Sequence, residues 1–114
     1  MMKIKINEMN GVRTMALAGR FDTSAIGSFK DTIKGLLQEG ASNYVIDLHE
    51  VDYIDSGGLG SLVSALRQTR SVEGDIKISG LSEKVRSVFE ITRLHRIFEI
   101  FDDEAVAVKS YYTN

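Results

Sequence analysis

The chain is predicted to fold as an α/β domain with helices packed on a mixed β-sheet, which opens with a hairpin and continues with parallel strands. Two strand-like segments, 3–8 and 12–18, flank the turn pair Asn10-Gly11, a typical hairpin signal. Beyond residue 22, helical apolar stripes alternate with short strands. The segment 44–48 (YVIDL) is nearly all apolar, which is typical of a buried parallel strand. The predicted order is β-β-α-β-α-β-α-β-α.

The first two helices are indicated by apolar residues at three- and four-residue spacing. Asp22 or Thr23 can cap the start of the first helix, and Gly40 fits just past its end. The second helix starts at the glycine pair 57–58 and ends before Gly74. The two stripes consist of Ile26, Phe29, Ile33, Leu36 and Leu37, and of Leu59, Leu62, Val63 and Leu66.

The closing part of the chain adds two strands and two helices. The segments 75–79 (DIKIS) and 96–101 (RIFEIF) are strand-like, and Ser82 can cap a helix between them. The last segment has acids at its front and Lys109 near its back, which suits a terminal helix and its dipole. Crossovers between the parallel strands are expected to be right-handed. About four helices are therefore expected on the sheet.

Length and composition restrict the possible functions. The 114 residues suffice for one domain, 1–114, and are too few for two. The absence of cysteine excludes disulfides, thiolate metal sites and cysteine nucleophiles. A net charge of −2 argues against a nucleic-acid partner, and no apolar run is long enough to cross a membrane. The N-terminus is typical of a strand, not of a signal peptide. We expect a cytoplasmic protein without metal or cofactor.

The stretch IDSGGLG, residues 54–60, sets one hydroxyl between an acid and a glycine-rich helix start. In such sheets functional residues collect at the carboxyl ends of the strands, where GRFDTS (19–24) also ends. Ser56 can be a simple cap that accepts a backbone N–H at the start of the helix. The glycines can simply permit a tight strand-to-helix turn. A functional role for Ser56 has to be weighed against these structural ones.

Two chemical roles for this serine are disfavoured by the sequence. A phosphate cradle of the Walker type needs a lysine after the last glycine, which is absent here, and Asp52 and Asp55 would repel a nucleotide. A hydrolase nucleophile needs a glycine two residues before the serine, where this chain has Ile54. The base would have to be His49 or His95, each more typical of a surface or packing residue. No catalytic residue is predicted, and the chain is not expected to be an enzyme.

A third role, a regulatory hydroxyl, explains why these residue types occur together. Phosphorylation would add nearly two negative charges to Ser56. The start of a helix tolerates such a charge, so the fold would persist. Beside Asp55, and beside Asp22 from the neighbouring strand end, the phosphate would repel a partner that accepted the neutral hydroxyl. Binding would then be switched without unfolding.

Three segments resemble STAS domains, the sulphate transporter and anti-sigma factor antagonist family. They are LAGRFDTSAIGSF (17–29), VIDLHEVDYIDSGGLGSLVSAL (45–66) and the closing run 76–108. The resemblance covers nearly the whole chain and implies a STAS fold. It also implies an anti-sigma factor antagonist that acts by partner switching in transcription regulation and signal transduction.

In that role, the unphosphorylated protein binds an anti-sigma factor that is also an ATP-dependent serine kinase, and so frees the sigma factor. The kinase phosphorylates the turn and the complex dissociates. A PP2C-type phosphatase then resets the phosphoprotein. The free protein is expected to be a monomer, because partner switching needs an open face.

The family's site residues transfer position by position. Asp22 matches the acid after the second strand, and Asp55 matches the acid before the phosphorylated turn. In founding members the phosphorylated hydroxyl is the second residue after that acid, which is Gly57 here. Ser56 is therefore either the phosphoacceptor or merely a cap, and Ser61 is the fallback phosphoacceptor.

The expected partner surface comprises the two turns and the outer face of the second helix. Its residues are Asp22, Thr23, Ser24, Asp55, Ser56, Gly57, Gly58, Leu59, Gly60, Ser61 and Ser64, with Arg67 and Gln68 further along the helix. An alternative function is a non-phosphorylated STAS adaptor subunit of another complex, such as a transport ATPase or a signalling scaffold. The missing hydroxyl at Gly57 favours that alternative.

Overall fold

The structure is a computed structural model that describes residues 2–113. Its strands are β1 (Lys3–Met9), β2 (Val12–Phe21), β3 (Asn43–Ile54), β4 (Asp75–Ser79) and β5 (Ile100–Phe101). Its helices are α1 (Ile26–Gln38), α2 (Ser56–Ser71), α3 (Glu83–Ile91) and α4 (Glu104–Lys109). Short 3-10 turns lie at Thr23–Ala25 and Leu94–Arg96. The order of strands and helices confirms the predicted fold class.

The five strands form one sheet in which spatial order follows chain order. The hairpin of β1 and β2 is antiparallel, and every later neighbouring pair is parallel. The hairpin turns at Asn10 and Gly11, whose φ angles of 53° and 83° are those of a tight two-residue turn. The turn pair predicted from the sequence is therefore confirmed.

The helices cover the two faces of the sheet unequally. The main core joins one sheet face to α1, α2 and α3, and its largest buried side chains include Phe21, Phe29 and Phe89. A smaller cluster on the other face consists of Val12, Val45, Ala107 and Val108 beneath α4. The alternation along β3, with Val45 in one cluster and Ile46 in the other, follows from the two-residue period of a strand.

Three strands differ in length from the prediction by more than one residue, and the first is β2, which was expected at 12–18 but ends at Phe21. β3 was expected at 44–48 but continues to Ile54, because β2 also continues to Phe21 and the two strands remain paired to their ends. Conversely, β5 was expected at 96–101 but contains only Ile100–Phe101, since residues 94–96 form a 3-10 turn. The longer β3 carries the chain directly to Asp55 and so sets the position of the following turn.

The end of the chain is held to the sheet by Lys77 and Tyr111. The Lys77 side chain is buried, its residue being only 6% exposed; its Nζ donates to Ser110 Oγ at 2.7 Å and lies 4.1 Å from the centre of the Tyr111 ring. The Tyr111 hydroxyl lies 2.7 Å from the carbonyl oxygen of Tyr44 and 3.0 Å from that of Asp75, and its one proton is shared between them. Burial raises the pKa of the Tyr111 phenol. The segment after α4 therefore ties the starts of β3 and β4 together.

We expect Tyr111→Phe to lower the free energy of unfolding by about 1–2 kcal/mol, because it leaves two carbonyl oxygens without their hydroxyl donor. Urea denaturation monitored by circular dichroism measures the change. Tyr112→Phe is the matched control, since Tyr112 is 53% exposed and its change should stay within about 0.5 kcal/mol. Equal losses in both variants would contradict this role of the Tyr111 hydroxyl.

Candidate functional site

The two motif turns lie side by side at the carboxyl ends of β2 and β3. The last residues of these strands, Phe21 and Ile54, are direct partners in the sheet. The backbone N–H of Asp55 donates to the carbonyl of Phe21 at 3.4 Å, just where both chains leave the sheet. The expectation that both motifs lie at the carboxyl ends of neighbouring strands is confirmed.

Asp55, rather than Ser56, caps α2. Its Oδ1 accepts a hydrogen bond from the backbone N–H of Gly58 at 2.9 Å, and its backbone is extended, as at a helix N-cap. The helix consequently begins at Ser56 instead of at the glycine pair. The capping role considered for Ser56 is wrong, because the acid one residue earlier occupies that position. The side chain of Ser56 is exposed, and no hydrogen bond from residues 2–113 reaches its hydroxyl.

The glycines of the turn have different packing constraints. A Cβ on Gly58 would overlap the carbonyl oxygen of Phe21, a rigid backbone atom. A Cβ on Gly57 would lie 2.8 Å from Cδ1 of Ile26, the mobile end of a side chain, and 3.4 Å from Oγ1 of Thr23. A Cβ on Gly60 would meet no atom within 4 Å. Close approach of backbone therefore requires glycine at position 58, whereas position 60 faces outward.

The neighbouring turn is organised by Asp22. Its Oδ1 accepts hydrogen bonds from the hydroxyl and the backbone N–H of Ser24, at 2.6 and 3.1 Å. The hydroxyl bond from Ser24 is the main reason that the pKa of Asp22 lies below its usual value, and the Arg20 guanidinium, 3.5 Å from Oδ2, lowers it further. Asp22 thus caps the 3-10 turn and not, as had been predicted, α1 itself, because α1 begins later, at Ile26, and its N-cap Ala25 makes no side-chain capping bond. Thr23 and Ser24 are exposed.

Arg20 and Tyr53 belong to this site but were missed from the sequence. The Arg20 guanidinium carbon lies 4.0 Å from the centre of the Tyr53 ring, a cation–π contact across β2 and β3. The same guanidinium pairs with Asp22. If β3 had been predicted to its full length, Tyr53 would have been paired with Arg20 across the two strands. That longer strand was the signal in the sequence that could have identified both residues.

The outer face of α2 agrees with the prediction only in part. Gly60, Arg67 and Gln68 are exposed and Ser64 is half-buried. Ser61 is 3% exposed and donates its hydroxyl to the carbonyl of Gly58 at 2.8 Å. Its expected place on an accessible surface, as a contact residue or fallback phosphoacceptor, is therefore wrong: the helical period turns position 61 toward the core. Gly58 and Leu59 are likewise buried and lie on the inner side of the turn, away from the accessible surface.

Neither histidine belongs to the turn that carries Ser56. His49 lies in the middle part of β3, and Nδ1 of His95 is 3.4 Å from the carbonyl of Phe89, near the end of α3. Within residues 2–113 no group of three or more histidines, aspartates or glutamates is arranged to hold a metal ion. Over the same residues, no helix combines the length and apolar character needed to cross a bilayer.

Comparisons with known proteins agree with this geometry. The STAS domain family model matches residues 3–107. BtrV of Bordetella bronchiseptica, described as a candidate anti-sigma factor antagonist, is 27% identical over 112 residues, which cover 98% of this chain and 97% of the relative. The anti-sigma-B factor antagonist of Listeria monocytogenes is 34% identical over 84 residues, 74% of each chain.

A crystal structure from Thermotoga maritima, of a candidate anti-sigma factor antagonist, superimposes with a TM-score of 0.88 and 25% identity. The match covers 94% of this chain and 92% of that one. Sequence and structure comparisons therefore identify the same kind of domain over nearly the same residues.

The packing of the turn predicts opposite effects for two glycine substitutions. Gly58→Ala should lower the free energy of unfolding by about 1–3 kcal/mol, because the new methyl group would push the helix from the Phe21 carbonyl. Gly60→Ala should raise it by about 0.5–1 kcal/mol, because alanine is favoured over glycine in an open helical position. Urea denaturation of both variants tests this, and a destabilised Gly60→Ala would contradict it.

The hydrogen bond from Ser24 predicts a measurable titration difference. Ser24→Ala should raise the pKa of Asp22 toward its usual value, since the hydroxyl that stabilises the carboxylate is lost. The lowered pKa means that Asp22 favours the folded state above the unfolded pKa of about 3.9, a contribution lost as the pH falls through the lowered value. NMR titration of the Asp22 carboxyl carbon measures the pKa directly. Ser28→Ala, on the exposed face of α1, should leave it unchanged.

Proposed function

The chain belongs to the STAS domain family, and on that premise we propose that it is an anti-sigma factor antagonist switched by phosphorylation of Ser56. The unphosphorylated form binds an anti-sigma factor that is also an ATP-dependent serine kinase, and so frees a sigma factor in the cytoplasm. Phosphate on Ser56 ends that binding, and a PP2C-type phosphatase removes it. The chain acts as a substrate and binding module without catalysis of its own, and as a monomer when free.

The observation that carries the proposal is that the Ser56 hydroxyl is exposed and has no hydrogen-bond partner among residues 2–113. This hydroxyl belongs to the first residue of α2. Asp55 performs the capping that a serine at this place would otherwise perform. The fold therefore makes no use of the Ser56 hydroxyl, which is available to a kinase at no cost to stability.

Electrostatics explain how a phosphate on Ser56 would act on binding alone. The phosphate brings about −1.5 to −2 charges at neutral pH. The first turn of a helix favours a negative charge, so α2 persists. Asp22 and Asp55 lie at the adjacent ends of β2 and β3, and within residues 2–113 only Asp22 of the two is paired with an arginine, Arg20, so the added charge makes this surface more acidic. A partner that fitted the surface with the neutral hydroxyl would meet like-charge repulsion after phosphorylation.

The surface offered to the partner combines the two turns with the exposed face of α2. Its accessible residues are Asp22, Thr23, Ser24, Asp55, Ser56, Gly57, Gly60 and Ser64. Small side chains at positions 56, 60 and 64 allow a partner to approach the helix closely, and Arg67 and Gln68 extend the surface along the same face. We place the kinase on this surface because its active site has to reach Ser56.

Gly57 supports a second candidate function, that of a STAS adaptor which is never phosphorylated. The position that carries the phosphorylated hydroxyl in founding members has no side chain here, and the Ile26 side chain lies close to where one would be. Such an adaptor would use the same surface for permanent binding within a transport ATPase or a signalling scaffold. The two candidates differ in whether the hydroxyl of Ser56 is ever modified.

In vitro phosphorylation by the candidate kinase from the same genome separates the two functions. Intact-mass spectrometry should show one phosphate on the wild type and on the control Ser64→Ala, and none on Ser56→Ala. Unmodified Ser56→Ala should keep its affinity for the kinase, because the fold does not depend on the hydroxyl. Phosphorylation of the wild type should weaken that affinity about 10- to 100-fold, as expected for like-charge repulsion of about 1.4–3 kcal/mol.

Three other outcomes contradict the proposal in different ways. Binding of the kinase without phosphorylation identifies a constitutive antagonist. Failure to bind any anti-sigma factor kinase favours the adaptor function. Phosphate that remains on the Ser56→Ala variant places the switch at another hydroxyl.

A further inference from the structure

A groove lies along β5 at the open edge of the sheet. In the part of the chain that the structure describes, β5 pairs with β4 on one side and with no strand on the other. Beside this edge is a cavity of about 570 Å³ between α3, the 94–96 turn and the end of α2. We name it the β5 groove, and its walls include Arg70, Arg86, Glu90, His95, Arg96 and Ile97.

The walls of the β5 groove contain three arginines and two glutamates, whereas the whole chain has 14 basic and 16 acidic residues. Arg93, which directly precedes the 94–96 turn, adds a further positive charge beside the groove. Arg86 pairs with Asp102 at 3.5 Å, but the Asp102 side chain is fully exposed, so that pair is weak. Within residues 2–113, Arg93 and Arg96 take part in no salt bridge. Positive charge is therefore available to a partner at this edge.

Arg93 has a backbone conformation that arginine rarely adopts. Its φ of 62° and ψ of 20° lie in the left-handed region, which glycine occupies without steric cost. It directly precedes the turn that carries His95 and Arg96 into the groove wall. Strained positions of this kind collect at functional sites, where the side chain has a use that offsets its conformational cost.

Exposed isoleucines accompany the arginines. Ile91, the last residue of α3, is 81% exposed, and Ile97, in the groove wall, is 38% exposed. Ile91 is not part of the groove wall, but Ile97, Ile100 and Phe101 line it together and give a protein partner an apolar patch for anchoring.

We propose that the β5 groove binds an extended acidic segment of a partner protein, which lies beside β5 as an additional strand. The exposed backbone edge would supply main-chain hydrogen bonds, as in β-strand addition. Arg86, Arg93 and Arg96 would receive the carboxylates of the segment, and Ile97 its apolar side chains. Glu90 and Glu99 in the groove wall would repel the phosphates of a nucleic acid, which carries a negative charge on every nucleotide. A peptide in which acidic residues alternate with apolar ones would be repelled less.

The groove is separate from the switch surface. Arg70, at its margin, lies fourteen residues after Ser56 on α2, which is about 21 Å along the helix axis. A partner in the groove therefore leaves the Ser56 turn accessible, and the inference holds whether or not Ser56 is phosphorylated.

NMR titration of the ¹⁵N-labelled full chain tests the proposal. The probe is a synthetic peptide of about eight residues that alternates Glu and Val, the length of a strand. We expect amide shifts confined to the groove, at Arg70 and within residues 86–101, and a Kd of about 1 mM or tighter. Arg96→Glu should weaken binding at least about tenfold, because it replaces an attraction by a repulsion. Lys34→Glu, an equal charge change on exposed α1, should leave the affinity unchanged.

Arg93→Gly is a second test, in which thermal stability and peptide affinity should change in opposite directions. Release of the left-handed strain should raise the melting temperature by about 3 °C, while loss of the guanidinium weakens the acidic peptide about three- to tenfold. A peptide that alternates Lys and Val is the charge control. Absence of groove shifts up to about 1 mM peptide, equal binding of the Lys peptide, or stronger groove shifts with a short DNA duplex each overturn the proposal.

Discussion

The contact between the first turn of α2 and the end of β2 is the constraint on which the candidate site depends. Gly58 packs against the carbonyl oxygen of Phe21, and the N–H of Asp55 donates to that same carbonyl. The ring of Phe21 in turn lies 5.0 Å from that of Phe29 on α1, measured between centroids. One strand end thus locates both α1 and α2, and the two acidic turns keep a fixed relation because they share this backbone group.

A second property of the site is the division of tasks between adjacent residues. Asp55 satisfies the helix start with its carboxylate, and Ser56 presents a hydroxyl that the fold does not use. Had the serine been the cap, a modification would have removed a hydrogen bond worth about 1 kcal/mol to the helix. Since the acid is the cap, charge can be added at the next residue while the geometry of the turn is kept. At the neighbouring turn, Arg20 stacks on Tyr53 and pairs with Asp22, and these two contacts hold the Asp22 side chain in place.

The sequence predicted the features that depend on local chemistry, namely the hairpin turn at Asn10-Gly11, the strand 75–79 and the cap at Ser82. It did not predict features that arise from pairing between distant segments. β3 looked short because its second half is partly polar, yet β2 holds that half in the sheet as far as Ile54. Ser61 was assigned to the outer face of α2 as one of its polar positions, but the phase of α2, which begins at the Asp55 cap, turns it inward. The exposure of Ser56 follows from that same cap, and its modification remains a prediction.

The agreement between spatial and chain order in the sheet affects how the protein is made. Each strand from β2 onward is laid beside the one that precedes it in the chain, so a partly synthesised polypeptide already holds the template for its next strand. Each parallel pairing nevertheless spans a whole helical crossover, as between Arg13 and Tyr44, so it forms slowly and leaves a strand edge unpaired until the next strand arrives. The end of the chain then reaches back: Ala107 and Val108 pack on Val12 and Val45, and the Tyr111 hydroxyl bonds the starts of β3 and β4. We expect the domain to grow strand by strand on the ribosome and to become fully closed only after its last residues have emerged.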